Sequence, residues 1–344
     1  MAQGEVQRLI EIFSGHGNSE EFRPFSEVTL GADGARSCPE PQESYLPSCW
    51  RAGEIIEARC LDAGESEEEV YEALGLAFIP PELREGGDEI EAAQKGELPR
   101  LITREDLQGD LHMHSQATDG NATIEEMARA AQQAGLKYIA ITDHSRHLTV
   151  AHGLDEKRLS EQIEHIERVN DKLSGITVLK GIEVDILEDG RLDLPDSILS
   201  QLDLVIGAVH SQFRLSRARQ TRRILRAMEA KYFTLLAHPS GRLLGSRPAY
   251  ELDMAAVIAA ARERGCYLEL NSQPQRLDLT DSYCRLAREQ GVLMSINSDG
   301  HRSRDFELLK GGINQARRGW LEKGDVLNTR PLGKLRRLLK GTMG

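Results

Sequence analysis

The 344-residue chain is poor in cysteine: it has five, an odd number, and no short Cys-x-x-Cys pair. That excludes a disulfide framework and fits a reducing compartment. Cys38, Cys49 and Cys60 recur at even spacing but lack the paired arrangement of a zinc ribbon. Long apolar runs are missing too, since none approaches the roughly 18 to 20 residues of a membrane span. The opening MAQGEVQRLIEIFSG has neither the basic start nor the unbroken apolar stretch of a signal peptide, so a cytoplasmic location is expected. A positive balance is lacking: 55 acidic residues against 43 Lys and Arg give a formal net charge of −12, and no block of Lys and Arg stands out as a nucleic-acid stripe. Such a surface argues against extended duplex binding. Also absent are a Gly-x-Ser-x-Gly elbow and any Walker or dinucleotide glycine fingerprint; Gly311-Gly312 has no preceding strand and no phosphate lysine. Serine-nucleophile, nucleotide-driven and redox chemistries lose their main support.

What remains is a soluble composition, 40% hydrophobic and 28% charged, with ample material for a core. From about residue 101 the chain alternates short β-branched runs with helical patterns, the signature of repeated βα units on a parallel sheet. Strands are predicted near 107–113, 137–142, 176–184, 203–209, 233–237, 266–271 and 292–297. Seven strands suit a barrel better than an open sheet. Thr123 and Glu126 form a capping-box pair opening a helix with Ile124, Met127, Ala128 and Ala131 on one face, closed by Gly135. A second helix is predicted at about 156–174, with Leu159, Ile163, Ile166 and Leu173 in register. The first hundred residues differ, with Gly, Ser, Pro and Glu frequent and only short helical patterns near 5–13 and 66–75. The expected organisation is an N-terminal extension over 1–100 and an α/β barrel over 101–344.

The chemistry gathers where those strands end. Six of the ten histidines, joined by three carboxylates, lie in DLHMHSQATDG, YIAITDHS, VLKGIEVDI, VIGAVHS, LLAHPSG and SINSDGH. These are His112, His114, Asp119, His144, Glu183, His210, His238, Asp299 and His301. In an extended chain, side chains two apart point to the same side, so His112 and His114 can grip one ion together. A lone His-x-His is weak evidence, yet the same coincidence recurs at five further strand ends. Three buried carboxylates would be costly without cations. Three divalent ions against them would leave a local excess of about +3, enough to draw phosphate despite the acidic exterior. Arg242 and Arg276, just after strands five and six, are candidate substrate-binding clamps for a phosphoryl oxygen, with a structural ion pair as the alternative for each. Lys180 is expected to face solvent or a carboxylate. Ser115, Ser145, Ser211 and Ser240 are expected to orient ligands, and His16, His147, His152 and His165 to be surface or loop residues.

The motifs His112-Met-His114-Ser115 with Asp119-Gly120, Thr142-Asp143-His144-Ser145, Gly181-Ile182-Glu183-Val184-Asp185, Val209-His210-Ser211, His238-Pro239 and Asp299-Gly300-His301 resemble the polymerase-and-histidinol-phosphatase (PHP) superfamily. More narrowly, YEALGLAFIPPELREG, LDLPDSILSQLDLVIGAVHS, HPSGRLLGSR, RLDL and ARRGWLEKGDVLNT resemble the C-terminal PHP region of bacterial X-family DNA polymerases, over about residues 66–344. The resemblance implies a distorted seven-stranded, TIM-like α/β barrel with a trinuclear site. It places His112, His114, Glu183 and Asp299 on one ion, Glu183 bridging to a second with His210 and His238, and Asp119, His144 and His301 on a third. It also implies manganese, zinc or iron as the metal and catalytic roles for Glu183, Asp299 and His301. X-family relatives carry palm carboxylates and DNA-holding elements; residues 1–65 show no paired-carboxylate strand motif. The expectation is therefore no polymerase activity, with residues 1–65 a degraded thumb remnant or the chain one piece of a split protein partnered by a separate polymerase chain.

The function expected is a metal-dependent phosphoesterase using metal-activated water, acting as a 3′–5′ exonuclease or trimming single-stranded DNA 3′ ends. A small-molecule phosphomonoesterase of the histidinol-phosphatase type is the alternative. A non-catalytic scaffold would be marked by missing ligands, and none is missing. Amidohydrolase-like or TatD-like barrels also start with His-x-His but lack the later Asp-Gly and Asp-x-His.

Overall fold

The computed structural model describes residues 66–73 and 75–344. It also describes four two-residue strands before them, Thr29–Leu30 paired with Arg36–Ser37 and Trp50–Arg51 paired with Glu54–Ile55, both antiparallel. The predicted helix at 5–13, the three evenly spaced cysteines and His16 lie outside the described residues. The chain divides into two units, Met1–Leu98 and Pro99–Gly344. In the first, helix Glu67–Ala73 is followed by the Pro80-Pro81 turn and helix Glu89–Lys95. Arg84 grips the Glu67 carboxylate with both terminal nitrogens, at 3.0 and 2.8 Å, and lies over the rings of Tyr71 and Phe78. A planar guanidinium can make both kinds of contact at once, which a lysine cannot.

The second unit is built on seven parallel strands: β1 (Gly109–Asp110), β2 (Tyr138–Ile141), β3 (Thr177–Asp185), β4 (Leu204–Ala208), β5 (Leu235–Leu236), β6 (Tyr267–Asn271) and β7 (Met294–Asn297), hydrogen-bonded in that order. Every predicted strand is present. The seam between β7 and β1 is drawn together by side chains: the Leu111 N–H donates to Asn297 at 3.1 Å and the Ser298 N–H to Asp110. Just past the strand ends, the His114 N–H donates to the Gly300 carbonyl at 2.8 Å. The result is a nearly closed barrel. Strands covered on both faces read as continuous apolar runs, and nearly every barrel-strand residue here is buried.

Helices α1 (Ile124–Gln133), α2 (Glu156–Lys172), α3 (Asp196–Leu199), α4 (Arg217–Ala227), α5 (Met254–Arg264), α6 (Asp281–Glu289) and α7 (Leu309–Arg318) follow the strands. α1 starts as its sequence dictates, with Thr123 and Glu126 capping each other's backbone N–H groups and Ile124, Met127, Ala128 and Ala131 buried. α8 (Leu332–Lys340) closes the N-terminal end of the barrel. Its Leu335 and Leu339 join Leu111, Tyr138, Leu179, Leu204 and Ile206 in one apolar cluster, and the hydroxyls of Tyr138 and Tyr267, at the starts of β2 and β6, donate to the carbonyls of Arg330 and Leu338. That plug leaves the opposite end for polar chemistry. No described helix is long and apolar enough to cross a membrane.

Candidate metal centre

All nine candidate ligands stand on the C-terminal rim, where barrel enzymes place their chemistry. His112 and His114 follow β1, His144 follows β2, Glu183 lies in β3, His210 follows β4, His238 follows β5, and Asp299 and His301 follow β7. Met113, between the first two, points into the core and is wholly buried. Strand alternation thus sends both imidazoles to the site and the thioether away from it.

Glu183 is the hub. Its Oε1 lies 3.0 Å from His238 Nε2 and 3.3 Å from His210 Nε2, and its Oε2 lies 2.8 Å from His144 Nδ1, 3.5 Å from His112 Nε2 and 3.7 Å from His114 Nε2. His114 Nε2 also stands 3.2 Å from Asp299. Further out, Asp119 faces His144 at 3.4 Å, His301 at 3.6 Å and His114 at 3.8 Å. Three overlapping groups have ligating atoms within 4.8 Å of one another: His114, Asp119, His144 and His301; His112, His114 and Glu183; and His144, Glu183 and His210. His238 borders the last and Asp299 the second. The expected partition therefore blurs in two places, because His114 reaches the outer group and His144 the inner one.

These residues fit a divalent-ion cluster on their own chemistry. His112 Nε2, His114 Nδ1, His144 Nδ1 and Glu183 Oε2 are buried with no hydrogen-bond partner. Buried polar atoms are rarely left so, and four orphans turned toward each other, nitrogen lone pairs and carboxylate oxygen, are what cations satisfy. The titration behaviour agrees. Burial pulls the His144 pKa down, but Glu183 and Asp119 outweigh it and lift the ring to about 10. His114 goes the other way: burial, with His144 beside it, lowers its pKa to about 3. Burial resists ionisation of Glu183, yet the imidazoles of His144, His210 and His112 hold it well below the usual carboxylate range. The cluster favours paired charge over empty space.

A supporting layer fixes these rings. Glu269, wholly buried on β6, accepts from His112 Nδ1 at 2.7 Å and from the His238 N–H at 2.7 Å, while Asn297 and Asn271 donate to its two oxygens. Asp185 stands 3.1 Å from His210 Nδ1. Asp143 takes the Ser115 N–H and the hydroxyls of Ser115 and Thr118, shaping the loop that delivers Asp119. Gly120 packs so closely that an added Cβ would lie 2.5 Å from the His114 carbonyl oxygen. His238 and Asp299 hold positive φ, 27° and 49°, a strain such sites tolerate.

Of these supporting residues, Asp185 and Asp143 stand in the quoted motifs without a role read for them, and Glu269 was missed in the sequence altogether. Glu269 did leave a signal, a single acid inside the otherwise apolar strand YLELN. The two arginines separate. Arg276 Nε lies 3.4 Å from Asp299 and so borders the cluster. Arg242 donates to the carbonyls of Arg276 and Leu277, bracing the loop rather than facing the ligands. Lys180 pairs with Glu167 at 3.2 Å. Ser145 Oγ accepts from the Asp185 N–H.

A model of the PHP domain matches residues 110–298, and one of the DNA polymerase beta thumb matches residues 50–85. The chain belongs to the PHP family. PHP proteins are metal-dependent phosphoesterases, and this chain is an enzyme of that class. A Bacillus subtilis protein named "DNA polymerase/3′-5′ exonuclease PolX" is 42% identical over 287 residues, which cover 83% of this chain and 50% of that protein. The chain thus spans half the length of that relative. A Thermoanaerobacter protein named "Probable phosphatase" is 32% identical over 67% of this chain and 94% of its own. A solved Lactococcus lactis histidinol phosphate phosphatase, complexed with zinc, L-histidinol and phosphate, aligns with a TM-score of 0.44 and 14% identity, covering 62% of this chain and 93% of that one.

Proposed function

We propose that this PHP barrel removes nucleotides from the 3′ ends of single-stranded DNA. The observation that supports the reading is the 42% identity, over 83% of this chain, to a protein named as a 3′–5′ exonuclease. On this reading His112, His114, Glu183 and Asp299 hold one ion, Glu183, His210 and His238 a second, and Asp119, His144 and His301 a third. Divalent ions held there supply Lewis acidity and a water of lowered pKa for attack on phosphorus. The protein's own part is arrangement. Glu269 and Asp185 fix two imidazoles so that their other nitrogens face the centre. Arg276 offers a planar guanidinium to a phosphoryl oxygen as negative charge builds. His301 is the most open of the six imidazoles at 31% exposure, so the third position would be the one that meets incoming substrate and solvent.

The test restores manganese, zinc or iron in turn to chelated protein and follows a 5′-labelled single-stranded oligonucleotide. Stepwise shortening is expected, with activity abolished in His112→Ala and Glu183→Ala. A metal-replete double variant that stays active would overturn the assignment of the centre. A phosphomonoesterase is the second reading, favoured by the match to 94% of a protein named as a phosphatase. It prevails if a monoester reporter is hydrolysed while oligonucleotides stay intact.

A further inference from the structure

The face of α4 runs against the character of the whole chain. Between His210 and Glu229 there is no acidic residue, and residues 214–226 contain Arg214, Arg217, Arg219, Arg222, Arg223 and Arg226. A protein of net charge −12 therefore carries a concentrated positive strip. The sequence reading found no such stripe, because the arginines are interleaved with apolar and small residues. The fold sorts them. Arg223 is buried and donates to the carbonyls of Leu187, Ser211 and Ile186, tying the loops after β3 and β4 together. Arg214, Arg222 and Arg226 are exposed, and among the described residues none has an ion-pair partner. Arg217 and Arg219 are answered by Asp253 and Glu188.

The strip starts at the site. Arg214 lies four residues beyond His210, and the loop between is held by Phe213, whose ring sits 3.9 Å from the Arg247 guanidinium and stacks with Tyr250. Next to it a cavity of about 590 Å³ opens on the rim, since Ser211 directly follows His210; its Arg191 and Arg219 are balanced by Asp189 and Glu188, so the excess positive charge of the strip lies outside it, on Arg214, Arg222 and Arg226. From there α4 descends antiparallel to the strands. Arg222 and Arg226, one turn apart on the same face, line a second cavity of about 740 Å³, in which Asp253 and Glu229 answer Arg217 and Arg264 and leave Arg222 and Arg226 as the uncompensated charges. Residues 217 to 226 span about 13 Å of helix at 1.5 Å per residue.

We propose that this strip is the track for a single-stranded nucleic acid whose end lies in the metal centre, with its backbone phosphates passing over the rim at Arg214 and along Arg222 and Arg226. Unpaired guanidinium groups on a rigid helix suit phosphate oxygens, and single strands are held by such positive grooves. The inference rests on the nuclease reading for the identity of the end, but its test does not depend on turnover.

The probe is a fluorescent, hydrolysis-resistant phosphorothioate 12-mer binding to metal-loaded protein, read by anisotropy across salt concentrations. The triple variant R214A/R222A/R226A should bind at least about tenfold more weakly, with a log–log salt slope shallower by about 2, at roughly 0.7 per lost phosphate contact on a single strand. The variant K157A/R168A, which removes positive charge from α2, should bind as the unaltered protein does. Metal content and melting temperature check that each variant is folded. Equal binding by the triple variant, equal weakening by the α2 variant, or no binding by the unaltered protein would each overturn the track. Arginine-dependent binding of the probe without shortening of an ordinary oligonucleotide keeps the track and removes the nuclease reading. Shortening that is equally fast with and without the three arginines keeps the nuclease and removes the track.

Discussion

The carboxylate of Glu269 accepts a 2.7 Å hydrogen bond from Nδ1 of His112, and so turns the Nε2 of that ring toward Glu183. A carboxylate behind a ligating imidazole sets its tautomer and raises its basicity. Glu269 also anchors the His238 backbone, so one residue positions ligands on two strands. Glu269→Gln keeps the shape but weakens the acceptor, and is expected to lower metal affinity or turnover about 10- to 100-fold. Metal analysis after dialysis, beside kinetics at saturating metal, checks it. Full retention of both would remove Glu269 from the support of the centre.

Titration of the metal-free protein follows from the same groups. Burial opposes charging of His112, His144, His210 and His301, but facing carboxylates raise all four, His144 to about 10. Raised folded pKa values give stability that is fully present below the ordinary 6.5 and lost as pH climbs toward about 10. Burial lowers His114 to about 3 and lowers His238 as well, and this costs stability as pH falls below 6.5. Glu183, held low despite its burial, adds a further loss below its ordinary 4.5. Chelated protein should therefore melt at its highest temperature near pH 6.5 and less well on either side.

Metal loading then demands neutral rings. At pH 8 it should release protons, because imidazoles charged in the metal-free cluster give them up. Calorimetric titration in two buffers of different ionisation heat measures the release. Identical heats in both would contradict the raised values.

Gly120 has no room for a side chain beside the His114 carbonyl. Gly120→Ala should shift the loop carrying Asp119 and lower the metal content of the outer group, His114, Asp119, His144 and His301, before that of the rest. A variant with unchanged metal stoichiometry and activity would show that the loop gives way freely.

At the far end of the barrel, Leu335→Ala removes part of the α8 plug from a fully buried position. A loss of about 2–5 kcal/mol in unfolding free energy is expected, with kcat unchanged because the rim is untouched. Arg276→Ala and Arg242→Ala should divide similarly. The first is expected to depress kcat by about 10²-fold or more if it meets developing charge, and the second mainly to lower the melting temperature.

The barrel was legible because its strands are buried on both faces and so appear as bounded apolar runs, and because α1 has its capping box and both α1 and α2 their apolar stripes. The six rim histidines were legible for a related reason: a polar residue that ends an apolar run stands at a strand end, and strand ends in a parallel barrel share a rim. Glu269 escaped because it has no histidine beside it in its strand, so only its inward direction toward His112 reveals its role. Arg242 looked equivalent to Arg276 since both follow their strands closely, and only the fold shows one guanidinium turned to backbone carbonyls. The α4 strip escaped because helical geometry, not sequence adjacency, gathers Arg222 and Arg226 and buries Arg223.

The double membership of His114 carries a consequence of its own. An uncharged imidazole has one lone pair, so this ring can serve the inner or the outer group at any moment, not both. An ion filling one group would therefore take a donor from the other. Ions bound there would draw on a common set of nitrogens, and occupancy of one group would weaken the hold of the other.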